Sequence, residues 1–248
     1  MIDIHAHILY GLDDGAQDLI DAVLMAELAV ESGVSVLFAT PHGNNERKKA
    51  QALSERDYLE KVKKEFVHLK KELEKRELPL RLILGMEVLC TEDTVRKLER
   101  KELLTLNNTR YILAEFDFGA TAASCRTRIT ELLEAGLKPV IAHPERYMCV
   151  QHSIGRAKEW VEMGCLLQVN KSSLRGSFGR EEYEAAWTIL KNDWAAFVAS
   201  DAHSPYYRTT FLGETYETLS RELSKRKANK LLRENAEDLF FNTAGLTD

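Results

Sequence analysis

Short apolar runs rich in β-branched residues alternate with amphipathic stretches along the sequence. This alternation is typical of α/β proteins, in which buried parallel strands are joined by helices that cover the sheet. Apolar residues at helical spacing predict helices over residues 18–32 and 58–75. Seven apolar runs predict strands near residues 1–5, 35–40, 80–86, 110–116, 138–142, 165–169 and 195–199.

The spacing of these strands indicates how many domains to expect. They recur along the whole chain, and no linker rich in Pro, Gly or Ser and no low-complexity tract separates one group from another. We therefore predict a single α/β domain over residues 1–248, in the form of a (β/α)7 barrel similar to a TIM barrel.

Histidines and carboxylates are concentrated at the ends of the predicted strands. The residues at these positions are His5, His7, His42, Glu87, Glu115, His143, Asp201 and His203. The carboxyl ends of parallel barrel strands meet at one face, which is where active sites are found in this architecture. Five of the seven histidines of the chain would gather there. Imidazole and carboxylate ligands from several strands are what a cluster of divalent cations requires.

Two local motifs strengthen this interpretation, and a third is ambiguous. In His5-Ala6-His7 both imidazoles lie on the same side of an extended strand, because side chains alternate with period two. Asp201-Ala202-His203 repeats this geometry after the last predicted strand. The segment 13–15 (DDG) by itself favours a turn, since Asp and Gly are common turn residues.

An arginine follows one of these histidines, in the segment 142–147 (AHPERY). The Arg146 guanidinium could donate bidentately to a phosphate or carboxylate substrate beside a metal cluster. The simpler interpretation is a salt bridge to a neighbouring acidic residue.

Composition and charge exclude several classes of protein. The 34 Lys and Arg residues against 39 Asp and Glu leave a formal charge of −5, so no global positive field is available to bind nucleic acid. The apolar runs are far shorter than the roughly 20 residues of a transmembrane helix. The N-terminus has no basic and apolar leader, which predicts a cytoplasmic protein. The four cysteines are far apart, so any metal must rest on His and carboxylates.

One rival chemistry can be judged from the sequence. The segment 90–96 (CTEDTVR) has the Cys-x5-Arg spacing of cysteine-dependent tyrosine phosphatases. It contains no glycine that would let backbone amides cradle a phosphate, and Glu92 and Asp93 would repel the dianion and raise the pKa of the thiol. The sequence therefore argues against a cysteine nucleophile.

Eight short motifs follow one another along the chain. They are residues 1–9 (MIDIHAHIL), 13–15 (DDG), 40–42 (TPH), 85–87 (GME), 115–116 (EF), 142–147 (AHPERY), 168–170 (QVN) and 199–203 (ASDAH). This set resembles the PHP (polymerase and histidinol phosphatase) superfamily, and within it the manganese-dependent tyrosine-protein phosphatases of the CpsB/YwqE type, from capsule and exopolysaccharide operons. The likeness extends from Met1 to residues 235–240.

The resemblance implies a distorted seven-stranded barrel with three divalent metal ions at the C-terminal ends of the strands. We expect Mn2+, with Fe, Zn and Mg as alternatives. The first metal would be held by His5, His7, Glu87 and Asp201. The second would share Glu87 and also take Glu115 and His143. The third would be held by Asp14, His42 and His203.

The resemblance also assigns roles around the metals. It implies that Asp14 is a ligand and not merely a turn residue, while Asp13 remains the weaker candidate. Arg146 and Arg208 match arginines that the family places over the substrate phosphate. The implied substrate is phosphotyrosine on a bacterial tyrosine kinase that regulates capsule synthesis, and the implied reaction is attack by a metal-activated hydroxide.

Some positions depart from the family pattern, and they concern the rim rather than the ligands. They are Gly43 to Asn45, Leu89 with Cys90, and Asp117. The closest competing function is a histidinol-phosphate phosphatase or another small-molecule phosphoesterase with the same metal chemistry. A metal-dependent amidohydrolase and a non-catalytic regulatory module are further alternatives. Against the amidohydrolase, Glu115 stands where a bridging Lys is expected.

Overall fold

A computed structural model of the chain describes residues 1–44 and 53–242. Strands and helices alternate along these residues. The strands are β1 (Ile2–Ala6), β2 (Val36–Ala39), β3 (His42–Gly43), β4 (Arg81–Leu84), β5 (Glu87–Leu89), β6 (Tyr111–Glu115), β7 (Lys138–Ala142), β8 (Leu166–Asn170) and β9 (Ala195–Ala199). The first six helices are α1 (Leu19–Glu31), α2 (Glu55–Lys75), α3 (Thr94–Glu99), α4 (Ala122–Glu134), α5 (Met148–His152) and α6 (Gly155–Glu162).

Five further helices follow in the second half of the chain. They are α7 (Lys171–Leu174), α8 (Arg180–Lys191), α9 (Gly213–Glu222), α10 (Lys225–Asn229) and α11 (Asn235–Phe240). Single 3-10 turns lie at Leu106–Asn108 and Pro144–Arg146, and a π-helical turn at Lys230–Glu234 joins α10 to α11.

The strands pair only in parallel among the described residues. One sheet has the order β1-β2-β4, and a second has the order β3-β5-β6-β7-β8-β9. All seven strands predicted from the sequence are present. Their apolar side chains are largely buried, as expected where helices cover a parallel sheet.

The boundary between the two sheets results from interruptions in two strands. Pro41 separates β2 from β3 and has no amide hydrogen to donate to a neighbouring strand. Gly85 and Met86 separate β4 from β5. The same two strand pairs continue beyond both breaks, because β2 pairs with β4 and β3 pairs with β5. The breaks therefore divide two long strands, and in each a candidate ligand, His42 or Glu87, is the first residue after the break.

The first strand also meets the last. Ala6 and Ala202 form a parallel bridge, and the backbone amide of His7 donates to the carbonyl of Ala202 at 2.8 Å. The amide of Asp201 donates to the carbonyl of His5 at 2.9 Å. The predicted α/β architecture with parallel strands is confirmed, while the regular ladders of the described residues form two sheets rather than one continuous ring.

Helices cover the sheets through one apolar face. Helix α1 begins at Leu19. The side chain of Asp18 caps its N-terminus by accepting hydrogen bonds from the amides of Ile20 and Asp21. On α2 the buried side chains include Val62 and Leu69. Burial of a side chain of this size stabilises the fold by about 1.5–3 kcal/mol. No helix in residues 1–44 and 53–242 has both the length and the apolar composition of a membrane span.

Candidate metal centre

The structure brings all nine predicted metal ligands together at the C-terminal ends of the strands. His5 lies in β1, His42 in β3, Glu87 in β5 and Glu115 in β6, whereas the others lie on the turns that follow strands. Eight of the nine are buried. Asp14 is the exception, because its side chain is 48% exposed and lies at the outer edge of the group.

The deepest part of the centre contains two facing imidazoles and two carboxylates. The Nε2 atoms of His5 and His7 lie 3.2 Å apart. His5 Nε2 is 3.4 Å from Glu87 Oε1 and 3.5 Å from Asp201 Oδ1. His7 Nε2 is 3.3 Å from Glu87 Oε2 and 3.6 Å from Asp201 Oδ1. One cation could therefore be reached by all four side chains.

Glu87 connects these four side chains to the second predicted group, which also contains Glu115 and His143. His143 Nε2 lies 2.8 Å from Glu87 Oε1 and 4.0 Å from Glu115 Oε1. His42 also approaches both carboxylates, with Nδ1 at 2.9 Å from Glu87 Oε2 and 3.8 Å from Glu115 Oε2. The structure thus places His42 between the second and third predicted groups, which the sequence pattern did not indicate.

The third group is the most exposed. Asp14 Oδ1 lies 3.2 Å from Nε2 of His42 and 3.4 Å from Nε2 of His203. These ligand atoms, together with one from His7, are within 4.8 Å of one another. The carboxylate of Asp14 therefore lies beside two candidate ligands, on a bend that follows β1.

The electrostatics of the cluster favour bound cations. Burial opposes ionisation of Glu87, yet the imidazoles of His5 and His42 hold the pKa of its carboxyl well below the usual range. Burial would lower the pKa of His5, but Glu87 and Asp201 raise it to about 9. A proton on His5 thus compensates buried negative charge that a divalent cation would otherwise neutralise.

The imidazole of His143 is in the neutral protonation state that a metal ligand requires. Burial lowers the pKa of its imidazole to about 4, so it is neutral near pH 7. Its Nε2 points at Glu87, with a lone pair available when that nitrogen carries no hydrogen. Neutral imidazoles and ionised carboxylates are ligands that Mn2+, Fe2+ and Zn2+ accept. The residues present therefore fit a cluster of divalent cations.

Side chains that are not among the nine candidate ligands hydrogen-bond to His5 and His7 and fix the orientation of their rings. His7 Nδ1 lies 2.9 Å from Asp13 Oδ2, which also accepts the backbone amide of His42 at 2.9 Å. His5 Nδ1 lies 2.8 Å from Gln168 Oε1. Such partners fix the tautomer and the ring orientation of metal-binding histidines. Asp13 therefore supports two candidate ligands, His7 and His42, and is not itself one of the nine.

The side-chain amide of Asn170 orients another candidate ligand, Asp201. Its Nδ2 donates to Asp201 Oδ2 at 2.6 Å. Sequence reasoning placed Gln168 and Asn170 only in a family motif and gave them no role. The available signal was their spacing of two residues at the end of the predicted sixth strand, because in an extended strand that spacing directs both polar side chains to the same face.

Both predicted arginines lie beside the centre. Arg208 Nη2 is 2.6 Å from Asp201 Oδ2, and Arg146 Nη1 is 3.7 Å from the same oxygen. Arg146 thus lies near an acidic residue, as the salt-bridge interpretation expects. That residue, Asp201, is itself a candidate metal ligand, so Arg146 also lies beside the candidate centre. Burial opposes ionisation of Asp201, but Arg208 and His5 hold the pKa of its carboxyl well below the usual range. Two guanidinium groups at the edge of a metal cluster can bind a phosphate.

An aromatic ring that the sequence analysis missed contacts both arginines. The guanidinium carbon of Arg146 lies 4.3 Å from the ring centre of Phe118 and 4.4 Å from that of Phe178. Arg208 lies 5.5 Å from the centre of the Phe178 ring. These distances are typical of cation–π contacts. Phe178 therefore links the two arginines.

The structure agrees with the rejection of a cysteine nucleophile. Desolvation and the carboxylate of Glu115 raise the pKa of the Cys90 thiol, which disfavours the reactive thiolate. Arg96 lies on α3, where its guanidinium contacts Asp93. The thiol and this arginine do not form a phosphate cradle.

The rim positions that depart from the family pattern make local contacts. Asn44 Nδ2 donates to the carbonyl of Leu89 at 2.9 Å. Asp117 Oδ1 accepts the amide of Gly119 at 2.8 Å. Asn45 lies outside the described residues. None of the departures in the described part of the chain removes a candidate ligand.

Comparisons with known proteins agree over nearly the whole length. A family model described as capsular polysaccharide synthesis, CpsB/CapC, matches residues 1–241. Tyrosine-protein phosphatase CpsB of Streptococcus agalactiae is 34% identical over 247 residues, which cover 98% of this chain and 99% of that protein. Tyrosine-protein phosphatase YwqE of Bacillus subtilis is 35% identical over 242 residues, which cover 98% of this chain and 92% of that protein.

A solved structure shares the architecture. It comes from a crystallographic description of YwqE from Bacillus subtilis and CpsB from Streptococcus pneumoniae as metal-dependent tyrosine phosphatases. The two structures match with a TM-score of 0.85 at 35% sequence identity, over 98% of this chain and 95% of that chain.

Proposed function

Because the chain belongs to the CpsB/CapC capsular polysaccharide synthesis family, we propose that it is a metal-dependent tyrosine-protein phosphatase that hydrolyses phosphotyrosine on proteins. The observation that carries the proposal is the juxtaposition of a buried histidine and carboxylate cluster with two arginines. Arg146 and Arg208 both approach Asp201, so a phosphate held by them would lie against the cluster. This combination suits a phosphoric monoester dianion better than a neutral ester or amide.

The ligand assignment follows the three groups of side chains. The nine residues would hold three divalent cations, and we propose Mn2+ as the principal metal, with Fe, Zn or Mg as alternatives. When bound, such cations lower the pKa of a coordinated water towards neutrality and compensate charge on the phosphoryl oxygens. Glu87 would bridge two of the sites, since His5 and His143 approach the same oxygen of its carboxylate.

The arginines would bind and orient the phosphate. Each guanidinium has several N–H groups in a fixed plane, which match the geometry of phosphate oxygens. In the reaction, a bond forms between water oxygen and phosphorus while the bond from phosphorus to the tyrosine oxygen breaks. The charge that develops on the phosphoryl oxygens would be stabilised by Arg146 and Arg208.

The leaving group explains the preference for phosphotyrosine. The pKa of a phenol is about 10, far below that of an alkyl alcohol, so the departing oxygen needs little help from a general acid. The attacking water releases one proton to the solvent, and the departing phenolate takes one proton from the solvent, so the reaction balances. No enzyme side chain becomes covalently modified in this scheme.

We also propose that the two sheets are parts of one distorted seven-stranded barrel, and that residues 1–248 form a single domain. In support, Ala6 of β1 forms a parallel bridge with Ala202, which lies three residues beyond the end of β9. If β2 and β3 are counted as one interrupted strand, and β4 and β5 as another, the barrel has seven strands. The metal centre would lie at the mouth of this barrel, where (β/α) barrels carry their active sites.

The natural substrate that we propose is a bacterial tyrosine kinase that regulates capsule or exopolysaccharide synthesis. The association of the family with capsular polysaccharide synthesis supports this substrate. We also place the enzyme in the cytoplasm, where such a kinase domain would meet it. Binding to nucleic acid is disfavoured by the formal charge of −5.

A small-molecule phosphatase is the second candidate, because histidinol phosphate would require the same metals and arginines. A direct comparison separates the two functions. With Mn2+ present, we expect the purified protein to hydrolyse a phosphotyrosine peptide with a kcat/KM at least tenfold above that for histidinol phosphate. The reverse order would contradict the tyrosine phosphatase and retain the metal chemistry. Hydrolysis of dihydropyrimidines or lactones alone would point to an amidohydrolase, and inactivity on all of them to a regulatory module.

A further inference from the structure

Exposed hydrophobic side chains lie within two residues of each arginine beside the candidate metal centre. In residues 1–44 and 53–242, seven large hydrophobic side chains are exposed, and three of them are sequence neighbours of Arg146 or Arg208. They are Met148, Tyr206 and Tyr207, with exposures of 50%, 72% and 72%. We refer to these three residues as the mouth surface.

The fold holds the two tyrosines close to the centre. The backbone amide of His203 donates to the carbonyl of Arg208 at 2.9 Å, which closes a short loop. Within it the amide of Tyr206 donates to Ser204 Oγ at 3.1 Å. The tyrosines therefore lie on a tight turn whose two ends are a candidate metal ligand and a candidate phosphate-binding arginine.

Met148 is anchored beside the other arginine. Its backbone amide donates to the carbonyl of Phe118 at 3.0 Å, and the ring of Phe118 lies against the guanidinium of Arg146. The three exposed side chains are thus attached to both sides of the proposed phosphate site. Exposed apolar area that adjoins a binding site commonly marks an interaction surface.

We propose that the mouth surface binds the peptide segment on either side of the phosphotyrosine, and that it selects apolar residues at the flanking positions. This inference rests on the proposed function. Once the arginines and metals hold the phosphate, the residues next to the phosphotyrosine must cross the opening of the site. Tyrosine and methionine offer these residues a large uncharged contact area, and tyrosine loses little conformational entropy on binding.

The experiment compares two phosphotyrosine peptides that differ only in their flanks. One has leucine on both sides of the phosphotyrosine, and the other has serine. The proteins are the Mn2+-loaded wild type, the double variant Tyr206→Ser/Tyr207→Ser, and Val67→Ser as a control. Val67 is 49% exposed on α2 and is not a sequence neighbour of either arginine. The ratio of kcat/KM for the two peptides is measured for each protein, and this ratio is independent of the folded fraction.

We expect the wild type and Val67→Ser to favour the leucine-flanked peptide by about tenfold, as burial of a few methylene groups would give. The double variant should reduce this ratio to about twofold. A wild type without a preference, or a double variant that keeps the tenfold preference, would overturn the inference.

Two other results have distinct meanings. If the wild type hydrolyses neither peptide, the proposed function fails and this inference fails with it. If light scattering shows a dimer of the wild type that the double variant lacks, the mouth surface binds a second copy of the chain, which also overturns a role in peptide binding.

Discussion

Individual residues behind the candidate metal centre determine how its ligands are held. Asp13 is buried and accepts three hydrogen bonds, from His7 Nδ1 and from the amides of Gly15 and His42. A carboxylate at this position fixes the tautomer of His7, so that Nε2 presents its lone pair to the centre. Asp13 thus orients two candidate ligands without belonging to the set of nine.

Replacement of Asp13 by Asn should weaken metal binding while the nine candidate ligands stay in place. An amide has one acceptor oxygen and cannot accept all three hydrogen bonds. We expect the affinity for Mn2+ to fall about 10- to 100-fold, measured by isothermal titration calorimetry. Asp238→Asn, at an exposed position on α11, is the matched control and should bind as the wild type does. Equal affinities of all three proteins would show that Asp13 does not support the centre.

Phe178 is the second residue whose role is testable alone. Phe178→Leu keeps an apolar side chain but removes the ring that contacts both guanidinium groups. Each of the two cation–π contacts contributes about 0.5–1 kcal/mol, so we expect KM for a phosphotyrosine peptide to rise about five- to thirtyfold. The inhibition constant of inorganic phosphate should rise in parallel, since the same arginines bind it.

Phe178→Tyr keeps the ring and serves as the conservative control, with constants close to those of the wild type. If the Leu variant matched the Tyr variant in both constants, Phe178 would not position the arginines.

At the scale of elements, the sequence predicted every long strand and the helices α1 and α2. Hydrophobic runs and helical spacing are local signals, and burial in the sheets confirms them. The short strands β3 and β5 were not predicted, because they contain two and three residues that follow breaks in longer strands. Their pairing depends on neighbours that are distant in sequence, such as Glu87 beside His42.

The same distinction explains which site residues could be predicted. Strand ends converge in a parallel α/β fold, so histidines and acids at those positions were expected to meet. The effect of Phe178 on Arg146 and Arg208 comes from tertiary contacts between separate loops, for which the sequence has no periodic signal. The proposal of Asp14 as a ligand required the family resemblance, because its local sequence pattern favours a turn.

The turn after β1 is an element whose geometry depends on one glycine. A Cβ atom at Gly15 would lie 2.2 Å from the carbonyl oxygen of His7 and 2.5 Å from its Cβ. The amide of Gly15 also bonds to Asp13. We expect Gly15→Ala to displace this turn and to lower the free energy of unfolding by about 1–3 kcal/mol, measured by urea denaturation.

Gly155→Ala provides the control, because a Cβ at that position, in α6, has no atom within 4 Å. Its stability should equal or slightly exceed that of the wild type, since alanine favours helix more than glycine does. A Gly15→Ala protein as stable as the Gly155→Ala protein would contradict the tight packing of the turn.

For the whole molecule, the candidate metal centre takes side chains from the first strand and from the segment after the last, and it concentrates buried charge at one end. Four buried carboxylates, of Asp13, Glu87, Glu115 and Asp201, lie among the imidazoles. Cations that bind the folded state and not the unfolded chain stabilise it by about 2.7 kcal/mol at one hundred times their dissociation constant. Metal binding should therefore support both the fold and the reaction.

The most direct test of the account is to remove the metal and restore it. Protein stripped with EDTA should not hydrolyse a phosphotyrosine peptide, and added Mn2+ should restore the activity of the wild type. His143→Ala lacks one candidate ligand and should stay at least about a hundredfold less active after the same treatment. Full activity of verifiably metal-free wild type, or of His143→Ala with Mn2+, would contradict a phosphatase that depends on this centre.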